Sequence, residues 1–275
     1  MSHTWDEGPE PNLKDISALG WVIAILRAIP IAIVVFGGLA VLLLIRLLER
    51  PIFGQDRPVT PFLTQAVCRT ALILMGIRYR TLGSPMKHTG AIVANHSSWL
   101  DIFTLNAAQR VYFVSKSEVA GWLGIGWLAR ATGTVFIKRD PREAKAQKET
   151  FEYRLKHNHR LLFFPEGTST DGLRVLPFKT TLFAAFFAPE LHDDMYIQPV
   201  TVNFYAPHGA DPRFYGWWGD MDFGTHLIHT LAKFRQGRVD VIYHPERKVS
   251  DFPSRKAIAA ALETDVRAAH LSQQA

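Results

Sequence analysis

The stretch Ala91-Ile92-Val93-Ala94-Asn95-His96-Ser97-Ser98-Trp99-Leu100-Asp101 decides how this chain is read. Residues 91–94 are a short apolar run of the kind that forms a buried strand. Helical spacing becomes available from Ile102 onward. Ser98 and Asp101 stand in an S-x-x-D relation, which predicts a helix start near Ser97 or Ser98. His96 then falls on the strand-to-helix loop and Asp101 in the first helical turn. A carboxylate one turn on can fold back and accept the imidazole N–H, which fixes the tautomer and leaves the other ring nitrogen as a base. The pattern holds no Ser or Cys nucleophile, so the pair suits deprotonation of a substrate hydroxyl that attacks an acyl group directly. The same residues also fit a helix-capping histidine beside an aspartate that favours the helix dipole.

On both sides of this stretch, strand-like and helix-like segments alternate from Arg78 to the C-terminus. Residues 91–94, 111–114, 134–137, 161–164, 197–204 and 239–243 read as strands, and 100–108, 117–131, 141–157, 178–188 and 254–271 as helices. The helix at Pro141 is signalled by Asp140 as N-cap, proline at N1 and Glu143 at N3. Ile258, Leu262 and Val266 give the last helix an apolar stripe. The alternation predicts an α/β domain with a central mixed sheet flanked by helices.

Two further constellations lie at strand ends, where α/β folds place ligands. In Gly133-Thr134-Val135-Phe136-Ile137-Lys138-Arg139-Asp140 a strand delivers two cations into a helix N-terminus, and both attract an anion. A basic strand end pairing with Asp140 and Glu143 is the plainer alternative. In Phe163-Phe164-Pro165-Glu166-Gly167-Thr168-Ser169-Thr170-Asp171-Gly172 a buried strand leads into a loop with a carboxylate and several hydroxyls, able to fold over a pocket or to serve as a simple turn. Asp171 occupies the last position of a G-x-S-x-G pattern, which counts against a nucleophile-elbow hydrolase.

Upstream of the domain the composition changes. Residues 28–45 are 18 consecutive uncharged positions, about 27 Å as a helix and close to a bilayer core. The acidic flank before it and the absence of a small-residue cleavage site argue against a signal peptide. Arg46, Arg50, Arg57 and Arg69 follow the run, so the positive-inside rule places the main domain in the cytoplasm. Pro30 and Gly37-Gly38 are points where the helix can break into a re-entrant pair. Residues 61–77 form a second apolar stretch able to pack against the first. The division is a polar tail at 1–18, membrane-anchoring helices at 19–77, as one helix or a two-helix anchor, and the α/β domain at 78–275.

The 275 residues carry a net charge of +6 with both signs mixed. Nucleic-acid binding is therefore not indicated, whereas anionic lipid suits a modest positive excess at a bilayer. The single Cys68 excludes an internal disulfide, and no ligand spacing suggests a metal. His226 and His229, at i and i+3, lack a third ligand. Core packing is favoured for Trp122 and Trp127. Residues 214–218 fit a lipid-contacting loop and a packed loop equally. His157 and His159 are expected in solvent at a helix end, and residues 145–160 as a solvated face.

In order and spacing, these blocks resemble the glycerolipid acyltransferases related to bacterial 1-acyl-sn-glycerol-3-phosphate acyltransferase. The family's N-H-x4-D matches Asn95, His96 and Asp101. Its G-x-x-F-I-x-R matches Gly133, Phe136, Ile137 and Arg139. Its F-P-E-G-T-R-S matches Phe164, Pro165, Glu166, Gly167 and Thr168, and its apolar run around a proline is similar to Ile197-Gln198-Pro199-Val200. The resemblance covers residues 60–245. It implies that His96 is the general base, oriented by Asp101, toward a lysolipid hydroxyl such as that of 1-acyl-sn-glycerol-3-phosphate, giving phosphatidic acid. The acyl donor is then an acyl carrier protein or coenzyme A thioester. Lys138, Arg139, Glu166, Gly167, Thr168 and Ser169 fall where the acceptor headgroup is held. The resemblance also implies a bacterial-type inner membrane location with the catalytic domain on the cytoplasmic side, and neither metal nor bound cofactor.

One position departs from the family. Ser169 stands where the third block has arginine, and a hydroxyl cannot reproduce bidentate bonds to a phosphate. Lys138, Arg139, Arg174 and Lys179 are the cations able to compensate. The extended 169–179 segment also resembles enzymes that complete ornithine lipid from lyso-ornithine lipid, and Asp171 would then meet a cationic amino headgroup. A catalytically silent lipid-binding membrane protein is the alternative of another class, disfavoured by the presence of both His96 and Asp101.

Overall fold

The computed structural model describes residues 5–6, 16–138, 142, 144–189 and 191–272. Helix α1 runs from Ala18 to Phe53 without interruption, and α2 spans Thr60–Met75. The possibility that Pro30 and Gly37-Gly38 break α1 into a re-entrant pair is thereby corrected. Close packing explains Gly38, while Gly37 faces open space. A Cβ on Gly38 would lie 2.5 Å from a Val67 methyl, so α2 crosses α1 there at near-backbone distance.

The buried residues of α1 (Gly20, Ala24, Ile31, Val35, Leu42 and Glu49) recur at intervals of four and seven. They form one seam along the whole helix. Leu19, Leu26, Ile33, Leu44 and Leu48 are among the large apolar side chains exposed on the rest of its surface. Arg27 donates to the carbonyls of Leu231, Lys233 and Phe234. Among the described residues α1 is the one helix long and apolar enough to cross a membrane.

The domain follows with β1 Arg78–Leu82, β2 Gly90–Ala94, α3 Leu100–Ala108, β3 Tyr112–Lys116, α4 Ile125–Thr132 and β4 Val135–Ile137. Then come α5 Ala144–Lys156, β5 Leu161–Phe163, β6 Tyr196–Tyr205, α6 Phe223–Ala232, β7 Arg238–Tyr243, β8 Arg247–Lys248 and α7 Arg255–Ser272. The strands form one sheet in the order β1-β7-β6-β2-β5-β3-β4, with β8 paired to β6. Strand β6 runs antiparallel to β7 and β8, and the other pairs are parallel.

The period-two alternation of side chains divides the core between two faces. Ile92, Ala94, Leu162, Val200 and Val202 pack with residues of α1, α2, α3 and α6. Ala91, Val93, Leu161, Phe163 and Ile197 pack with residues of α5 and α7. This is the expected mixed sheet flanked by helices.

Some local expectations differ. The helix expected at 117–131 is a 3-10 turn, Ser117–Gly121, followed by α4. Gly124 at φ +72° joins them in a conformation that side chains resist. At 178–188 there is only the 3-10 turn Leu182–Phe187. Its three-residue period aligns Phe183 and Phe186 toward the core. Strand β1, with Arg78 and Arg80 on the sheet edge, carries no apolar alternation to announce it.

Candidate active site

The N-H-x4-D block and the F-P-E-G block meet because β2 and β5 are parallel neighbours, with Val93 opposite Phe163. Both strands end at the same edge of the sheet and deliver Asn95-His96 and Phe164-Pro165-Glu166 side by side. Asn95 leaves the ladder but replaces it. Its amide donates to the Val202 carbonyl at 2.9 Å and accepts from the Val202 N–H at 2.7 Å. The strand end is thus fixed to β6 just before His96. On the same β6, Pro199 lies opposite Val93, and its carbonyl accepts from the His244 N–H. Gln198 beside it bonds Ser84, Met86 and His244 backbone groups where the β6 ladder changes partners.

His96 Nδ1 donates to Asp101 Oδ2 at 2.7 Å. The same oxygen accepts the backbone N–H groups of Ser97 at 2.8 Å and Ser98 at 3.0 Å. The start of α3 is therefore secured by a carboxylate reaching backward, and the Ser98 hydroxyl does not cap it. Trp99 holds the N-cap position without a side-chain bond. Asp101 is fully buried, whereas the His96 side chain is 20% exposed. The imidazole lies face-on against Phe164, 4.0 Å between centroids and 10° between planes. With Nδ1 donating, the neutral ring presents its lone pair at Nε2, and both the ring plane and the tautomer are set.

Glu166 is buried, and its two oxygens take backbone amides. Oε1 accepts from His96 N–H and Oε2 from Leu176 N–H, each at 2.6 Å. Burial pushes this carboxyl up to about 8. The two amides oppose the rise and the charge of Asp101 adds to it. The Thr170 N–H closes on the His96 carbonyl at 3.0 Å. The 166–172 loop is thus sewn to the His96 loop through main-chain bonds.

Thr168 and Ser169 are buried in that loop. Thr168 Oγ1 accepts from the Trp5 N–H at 3.4 Å, and the Trp5 indole packs on Trp218 and beneath the Arg174 guanidinium. Asp171 accepts through both oxygens from the Arg174 guanidinium. Gly167 takes φ +74° in the turn.

The second block is only partly described. Gly133 ends α4 at φ +85°, and a Cβ there would lie 2.9 Å from Arg57 Cζ. Phe136 and Ile137 are half-buried in β4 and Lys138 follows at the same sheet edge as His96. Three strand spacings separate β4 from β2, roughly 14 Å. Arg139, with Asp140, Pro141 and Glu143, lies outside the described residues.

Other expectations change. Trp122 and Trp127 are 43% and 52% exposed and Leu123 85%, so the core packing expected of the two tryptophans is corrected to a surface position. Phe214, Tyr215 and Trp218 are buried, which favours the packed loop. His159 is buried, and so are Phe151, Arg154 and Leu155, because the 145–160 face expected in solvent lies partly against the sheet.

A pair that spacing did not signal supports the site from behind. Trp99 Nε1 donates to His226 Nδ1 at 2.9 Å, joining the start of α3 to α6. Burial holds the His226 imidazole down at about 4, with His229 pushing the same way. Stability contributed by neutral His226 is expected to be lost as pH falls from about 6.5 toward about 4. Thermal melts of wild type and His226→Gln across that window should diverge, with the variant losing the acid slope. Parallel curves would remove His226 from the acid response.

A family model described as Acyltransferase matches residues 78–203. The chain is similar to the lyso-ornithine lipid O-acyltransferase of Rhodobacter capsulatus, with 62% identity over 95% of this chain and 94% of that protein. It is 36% identical to the lyso-ornithine lipid O-acyltransferase of Brucella abortus over 78% of this chain and 82% of that one. The 1-acyl-sn-glycerol-3-phosphate acyltransferase of Neisseria meningitidis is 39% identical over 67% of this chain and 71% of its own length. Among solved structures, the 1-acyl-sn-glycerophosphate acyltransferase PlsC from Thermotoga maritima matches the fold. The TM-score is 0.66 at 19% identity, over 93% of this chain and 96% of that one.

Proposed function

The chain belongs to the acyltransferase family, and on that premise we propose that it esterifies the free hydroxyl of a lyso-ornithine lipid to give ornithine lipid. The acyl group comes from a thioester of acyl carrier protein or coenzyme A. The observation that carries the acceptor choice is the 62% identity, over nearly the whole length, to a protein named for that reaction. Ser169 in place of the family's arginine agrees with it, because an acceptor without a phosphate monoester does not require that bidentate contact. The second acceptor is 1-acyl-sn-glycerol-3-phosphate, favoured by the Neisseria relative.

In the proposed mechanism His96 Nε2 takes the proton from the acceptor hydroxyl as its oxygen attacks the thioester carbonyl. The thiolate then leaves with a proton, and no acyl-enzyme forms. Asp101 holds Nδ1–H and stabilises the imidazolium that develops. Thr168 and Ser169, with Lys138 at the end of β4 on the same sheet edge, are proposed to face the acceptor headgroup, and Arg139, next in sequence, is proposed to join them. Glu166 and Gly167 shape that loop.

Purified enzyme supplied with each acceptor and each donor tests the choice. Turnover on lyso-ornithine lipid is expected, and turnover confined to lysophosphatidate would overturn it. Asp101→Asn keeps an acceptor oxygen for the three donors but loses the charge. It is expected to lower kcat by about a hundredfold or more with membrane attachment intact. Unchanged kcat would sink the orienting role.

We further propose that α1 lies in the plane of the membrane surface. Its seam is buried against the protein from Gly20 to Glu49, which leaves one side for lipid. Exposed Trp122, Leu123 and Trp127 extend the lipid-facing surface. A bacterial inner membrane with the domain on the cytoplasmic side is proposed with it, since Arg46, Arg50, Arg57 and Arg69, which follow the apolar run, suit the anionic cytoplasmic leaflet.

A further inference from the structure

A second cleft, of about 340 Å³, lies between the α1–α2 connection and the amino ends of β3 and β5. It is at the opposite sheet edge from His96. Arg160 precedes β5 and Glu166 follows it, roughly 20 Å apart along the strand direction. Arg57, Arg110, His159 and Arg160 line the cleft, and Asp56 is the one acid among its lining residues.

Among the described residues none of these arginines, nor Arg154 beneath them, forms an ion pair. Arg57 and Arg154 are held by the carbonyls of Ala131 and Gly133, and the Nε of each is buried without a partner. Arg110 lies over the Phe62 ring at 4.0 Å. His159 is 5% exposed, and its Nδ1 is also buried without a partner. The positive charge is mutually repulsive. Burial, then Arg154 and Arg57, push His159 down to about 3, and burial lowers Arg154 to about 10.

The nearby carboxylates Glu49 and Glu246 favour the charged forms of Arg57 and Arg160 through space but form no ion pair with them. Glu49 is spent on Arg46 and on the Val59 and Thr60 amides, and Glu246 is paired with His88. Concentrated cations and orphan donors in a cleft of ligand size mark an anion site.

What sits at the mouth narrows the anion. Phe53 and Phe62 line it and are half exposed, and Ile52 and Val59 beside them are exposed too. These side chains continue the apolar outer surface of α1. A basic pocket beside a membrane-facing helix end suits a lipid headgroup. We propose that this cleft binds the phosphate of an anionic glycerophospholipid, whose acyl chains lie against Phe53 and Phe62, and so seats the tip of the α1–α2 hairpin on an acidic bilayer. It rests on the membrane-surface placement of α1 but is independent of the acceptor at His96.

The full chain is tested for binding to phosphatidylglycerol-containing vesicles and to pure phosphatidylcholine vesicles. The double variant Arg110→Gln/Arg160→Gln is expected to bind the acidic vesicles roughly thirtyfold less tightly, from the loss of two basic contacts. Phosphatidylcholine binding should stay unchanged, and so should acyl transfer to detergent-dispersed acceptor. Arg110→Lys/Arg160→Lys should recover most of the loss. In the unaltered protein, photoactivatable phosphatidylglycerol should label the peptides around Phe53, Phe62 and Arg160, a readout that needs no variant. Equal affinity of wild type and Gln variant for acidic vesicles, or labelling elsewhere only, would overturn the site. So would saturation by inorganic phosphate with no further gain from lipid, or loss of acyl carrier protein binding with vesicle binding intact. Failure here with acyl transfer retained would leave the proposed reaction standing.

Discussion

Alanine at position 96 is expected to reduce acyl transfer by about 10²–10⁴-fold, the range for loss of a positioned general base, while the fold persists. The ring makes one hydrogen bond, to Asp101, and one stacking contact, to Phe164. The residue's structural bonds belong to its main chain, with its N–H on Glu166 and its carbonyl taking Thr170. Those survive truncation of the side chain. Both kcat and kcat/KM should fall together, because proton removal occurs only as the hydroxyl attacks. KM for the acceptor should change little. The check is steady-state kinetics on purified protein beside its melting temperature. Turnover equal to wild type, or a melting temperature that collapses with it, would remove His96 from the chemistry.

The two blocks that build this site were legible because their chemistry is local. The apolar run at 91–94 followed by Asn-His and a carboxylate five residues beyond His96 fixed the strand, the loop and the first turn of α3. What brings Glu166 beneath His96 is the parallel pairing of β2 with β5, a contact between segments 70 residues apart that no periodicity specifies. The acid was therefore expected on the substrate and is found accepting two backbone amides.

Strand β1 was missed because an edge strand rich in arginine carries no alternation. Trp122 reads as a core residue because large aromatic side chains are usually buried, whereas here it is 43% exposed. Trp99–His226 was invisible for the same reason as Glu166, since α3 and α6 are joined only by the tertiary fold. The tryptophan was already part of the motif, and an unexplained histidine in a later apolar helix was the available signal.

Glu166 supplies the second large effect, and on stability rather than on the reacting atoms. Glu166→Ala leaves the partly buried N–H groups of His96 and Leu176 without acceptors, at a cost of about 2–6 kcal/mol for the two together. It also releases the loop that holds His96 in line with Asp101, so activity should fall even in the fraction that folds. Glu166→Gln keeps the shape but turns one amide NH2 toward a backbone N–H, and a smaller destabilisation is expected.

The pH dependence of that difference carries a sign. Burial raises the carboxyl from about 4.5 to about 8 in the folded chain. The stability it contributes is then complete below about 4.5 and is lost as pH rises through about 8. The advantage of wild type over Glu166→Gln should therefore narrow between those two values. Thermal melts of both proteins across the interval decide it. An advantage that widens with pH would mean that the two amides outweigh burial and that Glu166 works as a fixed anion under the His96 loop.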